Sequence, residues 1–543
     1  MALTSLQKTE SEVVVVGYGT QRSKDVTGSV VKLRGETLRE VPAPNLIAQL
    51  KGRTAGVDIV SNSATPGGSG SIRIRGNRTL ATSQASSDQI DAPLIVLDGI
   101  PFSGSINDIN TDDVASLEIL KDASATAIYG SRGAGGVILI TTKRGRSGKA
   151  VMSYDGYYGT TSVMSQLHAF NGQEYAKFKT DAATYNRSAP GTSSYLLTAN
   201  EQAALAAGIS TDWQDLIYQH GFITSHQLGV TGGNEGMQYG LSGGYYKETG
   251  IIPNQNYERY SLRATIDYQA SRRIKIGVNT LNTLSYSNTP GGSGVTGGLV
   301  RLTPLASPYN PDGTVNLQPQ LGSIDAATIS PLTLKTKASA ILARNRRFRT
   351  FNSLYGELKI MDGLKYRLNL GLDYSQTAGN GYNGPGTWTN NNTSQANSNA
   401  SINNTEAWSY TIENLLLYEK TFKSKHKVGF TGLFSVQKDH NQGSGFNVTG
   451  VPADYILNSN FGLASGTITT NANNTFFSER GLISYMGRVN YGYDNRYLFT
   501  ATVRRDGSSV LSPGNQYFTY PAFSLGWNIT NEKFMHVSFI SNL

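Results

Sequence analysis

The chain has 543 residues, more than one ordinary domain requires, and is rich in glycine (60) and tyrosine (30), with only 38% hydrophobic and 16% charged residues. It is too aromatic to be disordered and too poor in aliphatic residues for a large helical core, so many strands and turns are expected. Cysteine is absent, which excludes disulfides and thiolate metal sites; the net charge of +9 comes from scattered Lys and Arg without a basic run, so no nucleic-acid partner is expected.

No stretch approaches eighteen apolar residues, which excludes a transmembrane helix, and the N-terminus does not read as a signal peptide. The first structured segment is "EVVVVGYGTQ", residues 12–21, where four valines form a strong strand signal after a polar stub that offers no local partner. Residues 1–150 as a whole read as mixed α/β. A short helix is expected from about Asn45 to Gly52, then strands at Val57–Val60, in "SIRIRG" (71–76) and in "APLIVLDGIPF" (92–102). "NTDDVASLEIL" (110–120) has the form of a helix with Thr111 as N-cap and Val114, Leu117 and Leu120 on one side. A further short helix stops at Gly130, and a strand follows at Val137–Thr142.

Beyond residue 150 the pattern changes to strict alternation. In "YRLNLGLDY" (366–374) one face is Tyr366, Leu368, Leu370, Leu372 and Tyr374, and the other Arg367, Asn369, Gly371 and Asp373; "YSLRATIDY" (260–268) repeats the design. A tyrosine at each end of nine residues, at about 3.3 Å per residue and a tilt of about 40°, brackets roughly 20–25 Å, the height of a barrel's lipid-facing band. Short connections (232–237, 269–273, 361–363, 423–427, 493–496) alternate with long polar ones (163–220, 287–345, 377–405, 439–478). A soluble sandwich gives alternation too, but has no reason to sort its loops by parity. About twelve strands are counted, and the C-terminal segment reads as part of a longer barrel.

Motifs of catalysis and metal binding are weak. Asp108, Asn110 and Asp112 imitate a calcium loop, but Asp113 stands where glycine is needed and Ile119 where a bidentate Glu is needed. "GYGTQR" lacks the third glycine of a dinucleotide fingerprint, and "GSRGAGG" precedes a strand rather than a helix. The six histidines are dispersed. Asp267 and Asp373 are read as lining a wet lumen. No catalytic residue, metal or cofactor is expected, and the chain is not read as an enzyme.

"PLIVLDGIPF" (93–102) and "INDINTDDVASLEILKDASATAIYGSRGAGGVILITTKRG" (106–145) resemble the plug signature of the SusC/RagA family of TonB-dependent outer-membrane transporters. "EVVVVGYGTQ" is similar to that family's TonB box, and "GRVNYGYDNRYLFTATVRRDGSS" (487–509) to its barrel strands. The resemblance implies a TonB box region and linker over residues 1–30, an α/β plug over 31–148, and over 149–543 about 12 of the 22 strands of a transmembrane antiparallel β-barrel. It implies import of an oligosaccharide or peptide across the outer membrane of a Bacteroidetes-type Gram-negative bacterium. The implied partners are TonB with its inner-membrane energising complex, a SusD/RagB-like lipoprotein and outer-membrane lipid. TonB would pair with Glu12, Val13, Val14, Val15, Val16, Gly17, Tyr18 and Gly19 by strand addition, unless the valines are the edge strand of an upstream domain. Tyr382 and Trp388 are loop aromatics that could stack on a sugar. A passive porin would share the barrel without needing a plug, and a secreted β-sandwich adhesin would share the strands without sorted loops.

Overall fold

The computed structural model describes residues 13–17, 19–22, 28–40, 46–61, 65–68, 70–77, 91–185, 196–291, 294–321, 329–532 and 534–535. Strands β1 (Val13–Val16) and β2 (Gly19–Arg22) form an antiparallel hairpin, with Gly17 at φ 63° in the turn. The valines of β1 therefore have a local partner: Val14 faces Gln21 in the ladder.

The plug is built on a five-stranded sheet in the order β3 (Val30–Arg34), β8 (Val114–Leu120), β9 (Val137–Thr142), β6 (Leu94–Leu97), β7 (Ile100–Pro101). The β9–β6 pair is parallel and the others antiparallel. A separate hairpin joins β4 (Val57–Ser61) to β5 (Gly70–Ile74). The core beneath contains Leu38, Leu46, Leu50, Leu97, Leu117, Ile119 and Ile138. The helix over Leu46–Leu50 and the strands at 57–61, 70–74, 94–97 and 137–142 agree with the sequence reading; Asn45 lies outside the described residues.

Residues 110–120 correct it. They form a single 3-10 turn, Thr111–Asp113, followed by β8 rather than a helix. The cap is Asn110, whose Oδ1 accepts from the Asp112 amide at 3.2 Å. β8 lies between β3 and β9, and Val114, Leu117, Ile119 and Leu120 are all buried. A strand dry on both faces loses its alternation, so apolar residues three apart imitate a helical stripe.

The remainder forms one antiparallel sheet of 12 strands in chain order. They are β10 (Gly148–Thr161), β11 (Gly221–Gly233), β12 (Met237–Thr249), β13 (Asn256–Gln269), β14 (Ile274–Asn288), β15 (Ile341–Met361), β16 (Leu364–Asn383), β17 (Asn399–Phe422), β18 (His426–Thr449), β20 (Phe476–Tyr493), β21 (Tyr497–Ser508) and β22 (Tyr517–Trp527). A two-residue strand, β19 (Thr469–Thr470), pairs onto β18. The partial barrel with an α/β plug read from the sequence is the architecture observed. Several strands run further than alternation indicated, narrowing two of the long connections to 384–398 and 450–475.

Alternation assigns the faces as the barrel reading requires. On β13, Tyr260, Leu262, Ile266 and Tyr268 are exposed while Arg259, Ser261, Arg263, Thr265 and Asp267 are buried. The outer face is not uniformly apolar: Asn282 bonds Thr280 at 3.0 Å on β14, and Asn352 bonds Thr350 at 2.9 Å on β15. At the short-turn end His426, Tyr491, Tyr493, Tyr497 and Trp527 are linked by ring contacts of 5.1–6.4 Å. Toward the other end Trp408 stacks on His440 at 4.8 Å. Such aromatic belts suit the two edges of an apolar layer. No described helix is long and apolar enough to cross a membrane.

The long connections pack together. Trp213 and Ile217 of the first join Val295, Leu299, Leu332 and Leu334 of the second in one cluster. In the first loop the Glu201 carboxylate accepts from Lys179 Nζ at 2.7 and 2.8 Å, both side chains buried. Burial opposes the Glu201 charge, but Lys179 and the Thr198 amide outweigh it and hold the carboxyl below its ordinary range. Stability from a lowered carboxyl is present above its unfolded-state pKa, about 4.3, and is lost as pH falls through the folded value. Glu201→Gln leaves the Lys179 charge buried and unpaired, and should cost about 3–5 kcal/mol. Hydrogen exchange over 172–185 and 199–206 should rise in this variant at neutral pH, and in the parent only below about pH 4. A second check bears on the outer face: Leu262→Arg should destabilise the barrel in lipid by about 2 kcal/mol or more, read as a lower unfolding midpoint.

Candidate functional site

The polar faces of the wall strands point at the plug, and the surface between them is where anything crossing the barrel would have to pass. Three buried arginines dominate it. Arg263 on β13 lies 3.8 Å from the Asp113 carboxylate and donates to Thr142 Oγ1 at 2.8 Å and to the Lys143 carbonyl. Asp113 also accepts from Ser242 at 2.6 Å and Gln227 at 3.3 Å. Burial pushes the Asp113 carboxyl above its usual value against the pull of Arg263. Protonation of Asp113 therefore relieves a cost in the folded state, so mild acid does not loosen this contact through Asp113.

Arg349 on β15 bridges wall and plug. It reaches Asp108 of the plug at 3.5 Å and pairs with Asp373 on β16, which accepts from the Ser103 amide at 3.1 Å. Its guanidinium sits 4.5 Å from the centre of the Phe102 ring, and that ring meets Phe351 edge-on at 5.4 Å. Asp267, the other carboxylate assigned to the lumen, accepts from Arg144 at 3.0 Å and from the Tyr355 hydroxyl at 2.5 Å. Both carboxylates face inward but are engaged in pairs rather than wet.

Arg504 on β21 is fully buried. It donates to Asp506 at 2.6 Å, to Ser484 at 2.7 Å and to the carbonyl of Ile128 in the plug. Gly130 stands against this group at φ 59°, and a Cβ there would lie 2.0 Å from Asp506 Oδ2 and 2.7 Å from Arg504 Nε. Only glycine fits both the backbone and the space.

The N-terminal hairpin reaches the same place. A Cβ on Gly17 would lie 1.9 Å from Ile128 Cδ1 and 3.6 Å from the Tyr129 hydroxyl, so the hairpin turn rests on the residues beside the Arg504 contact. Of the proposed TonB-pairing residues, Val13–Val16 form β1, Gly17 the turn, and Gly19 starts β2; Glu12 and Tyr18 lie outside the described residues.

The two loop aromatics are placed differently from the sequence reading. Tyr382 is fully buried at the end of β16, with its hydroxyl donating to Asp454 at 2.7 Å, so its ring has no open face for a sugar. Trp388 lies over Gly298, where a Cβ would approach its ring to 2.4 Å, and joins the loop cluster. Glycines around these aromatics serve packing. The wall arginines, which sequence reasoning passed over, carried one signal: arginine on the polar side of an otherwise clean alternation. No group of three His, Asp or Glu able to hold a metal is present among the described residues.

Comparison with known proteins agrees with this arrangement. Residues 22–137 match the TonB-dependent Receptor Plug Domain. TonB-dependent receptor P3 of Formosa agariphila is 32% identical over 96% of this chain and 49% of its own length. TonB-dependent receptor SusC of Bacteroides thetaiotaomicron is 29% identical over 98% of this chain and 52% of its own. The chain thus spans about half the length of these curated relatives. Among solved structures, the RagAB peptide importer in its open-open state superposes with a TM-score of 0.81 at 21% identity, over 98% of this chain and 60% of that one. Residues 22–137 are thus similar to a TonB-dependent receptor plug, and fold and relatives make the chain as a whole similar to TonB-dependent receptors. Within that likeness the chain is SusC/RagA-like, since SusC and the RagAB importer are among the proteins it resembles along nearly its whole length.

Gly130→Ala should loosen the plug by about 1–3 kcal/mol, from the strained φ and the contact with Asp506. Limited proteolysis of residues 122–136 should report it as faster cleavage, with the barrel fragment still resistant.

Proposed function

We propose that the protein takes part in TonB-dependent import of an oligosaccharide or peptide across the outer membrane, with a SusD/RagB-like lipoprotein at the long-loop side. The observation that carries this reading is a folded plug bonded through buried ion pairs to the inside of a wall whose other face is mostly apolar. A passive porin has no use for that obstruction. Peptides are what the RagAB assembly imports; the lumen contacts favour neither cargo class.

The geometry supports a mechanism for opening. β1 has one edge occupied by β2, and among the described residues its other edge pairs with nothing. TonB would add a strand there or displace β2, gripping residues 12–19 through main-chain hydrogen bonds. The hairpin turn bears on Ile128 and Tyr129, whose neighbourhood is held by Arg504. Tension on β1 would therefore reach the Arg504–Ile128 contact first and free the plug along β20–β22.

Val14→Pro removes one ladder donor from β1. In cells expressing the full-length receptor, uptake should fall more than tenfold while surface binding and outer-membrane yield stay unchanged, as they should when TonB is deleted. Normal uptake by the variant would refute the pairing.

A further inference from the structure

On the outward face of the wall, one pair of neighbouring cations lies without a carboxylate partner among the described residues. On β15 the even-numbered residues point away from the plug, and Arg344, Arg346 and Phe348 follow one another on that face, all exposed. Arg344 sits 5.0 Å above the ring of Tyr286 on β14, and Tyr286 is the register partner of Arg346. On the other side Arg346 faces Ala378 and Arg344 faces Asn380, so small or neutral side chains flank the pair. Among the described residues neither guanidinium meets a carboxylate. Among other outward cations, Lys247 pairs with Glu258 at 3.1 Å and Lys438 with Glu479 at 3.1 Å, whereas Arg505 on β21 is a single exposed cation 5.2 Å from the Tyr517 ring.

Height adds the second constraint. Phe348 is in register with Leu284, which is in register with Tyr260, the upper tyrosine of the β13 stripe. Arg346 and Arg344 lie two and four residues further toward the long loops along β15, about 5 and 10 Å above Phe348 at the usual rise and tilt. Their Cα atoms are about 7 Å apart on one face, a spacing at which two guanidinium forks can close on one phosphate from either side. Cations just above an aromatic belt on the outer side of a membrane wall meet lipid headgroups, not the barrel's cargo.

We propose that Arg344 and Arg346, with Tyr286 as a supporting ring, bind the phosphate of a phosphorylated glycolipid in the outer leaflet, the lipopolysaccharide class. This rests on the outer-membrane reading above. Charge complementarity and continuity with the lipid-facing band choose this occupant over a second protein.

The test is the double variant Arg344→Gln/Arg346→Gln in the full-length receptor, extracted from outer membranes in mild detergent and analysed by native mass spectrometry. The parent should retain bound diphosphorylated glycolipid, and the variant about tenfold less, with membrane yield and uptake unchanged. Adding 10 mM inorganic phosphate to the parent should not displace the glycolipid, because the acyl chains hold it as well. Equal retention by parent and variant would overturn the proposal while leaving the outer-membrane reading intact. So would displacement by free phosphate, or a variant that loses self-association or the lipoprotein yet keeps its glycolipid. A parent absent from outer membranes would overturn the outer-membrane reading and this proposal with it.

Discussion

The structure depends on where the polar side of each wall strand is satisfied. In hydrocarbon an unpaired polar group costs several kcal/mol, so a strand that shows leucine and tyrosine to lipid must turn its arginines and carboxylates inward. There they meet a folded domain with the complementary set. Arg263, Arg349 and Arg504 each reach both a carboxylate and a plug group. The plug is thus the solvent of the lumen face, and its removal would leave buried guanidinium groups to find water.

That arrangement makes the obstruction selective in strength. Around Arg349 the contact combines two carboxylates and two aromatic rings, and losing one partner of such a buried group is costly. Around Arg504 the plug contributes mainly backbone: the Ile128 carbonyl, and the Ser131 amide donating to Asp506 at 3.4 Å. Backbone bonds of this kind can be exchanged for water as a segment moves, at a net cost of about 1 kcal/mol each. The N-terminal hairpin rests beside the second group rather than the first. Under the proposed mechanism, a pull from the N-terminus would be directed at the part of the interface that can be released without stranding a plug carboxylate.

How much of this could be read beforehand varies by element. The wall was legible because each strand has one dry and one polar face, and period two survives in the chain as at Tyr260–Tyr268. Loop parity was legible because tight turns need only a few residues. Residues 110–120 misled because β8 is covered on both sides and its spacing no longer reports a strand. Tyr382 misled because an aromatic in a Gly/Asn-rich segment looks exposed, whereas β16 continues to Asn383 and buries it.

By itself the sequence determined the class: two regions, one mixed and one alternating, with the outer face chosen by which residues tolerate lipid. Local chemistry suffices for that, since a strand's faces follow from adjacent residues. Only the tertiary structure decided which charges meet. Asp108 and Arg349 are separated by 241 positions, and Ile128 and Arg504 by 376. No periodicity links residues so distant; the pairing arises from how the plug is seated against the wall.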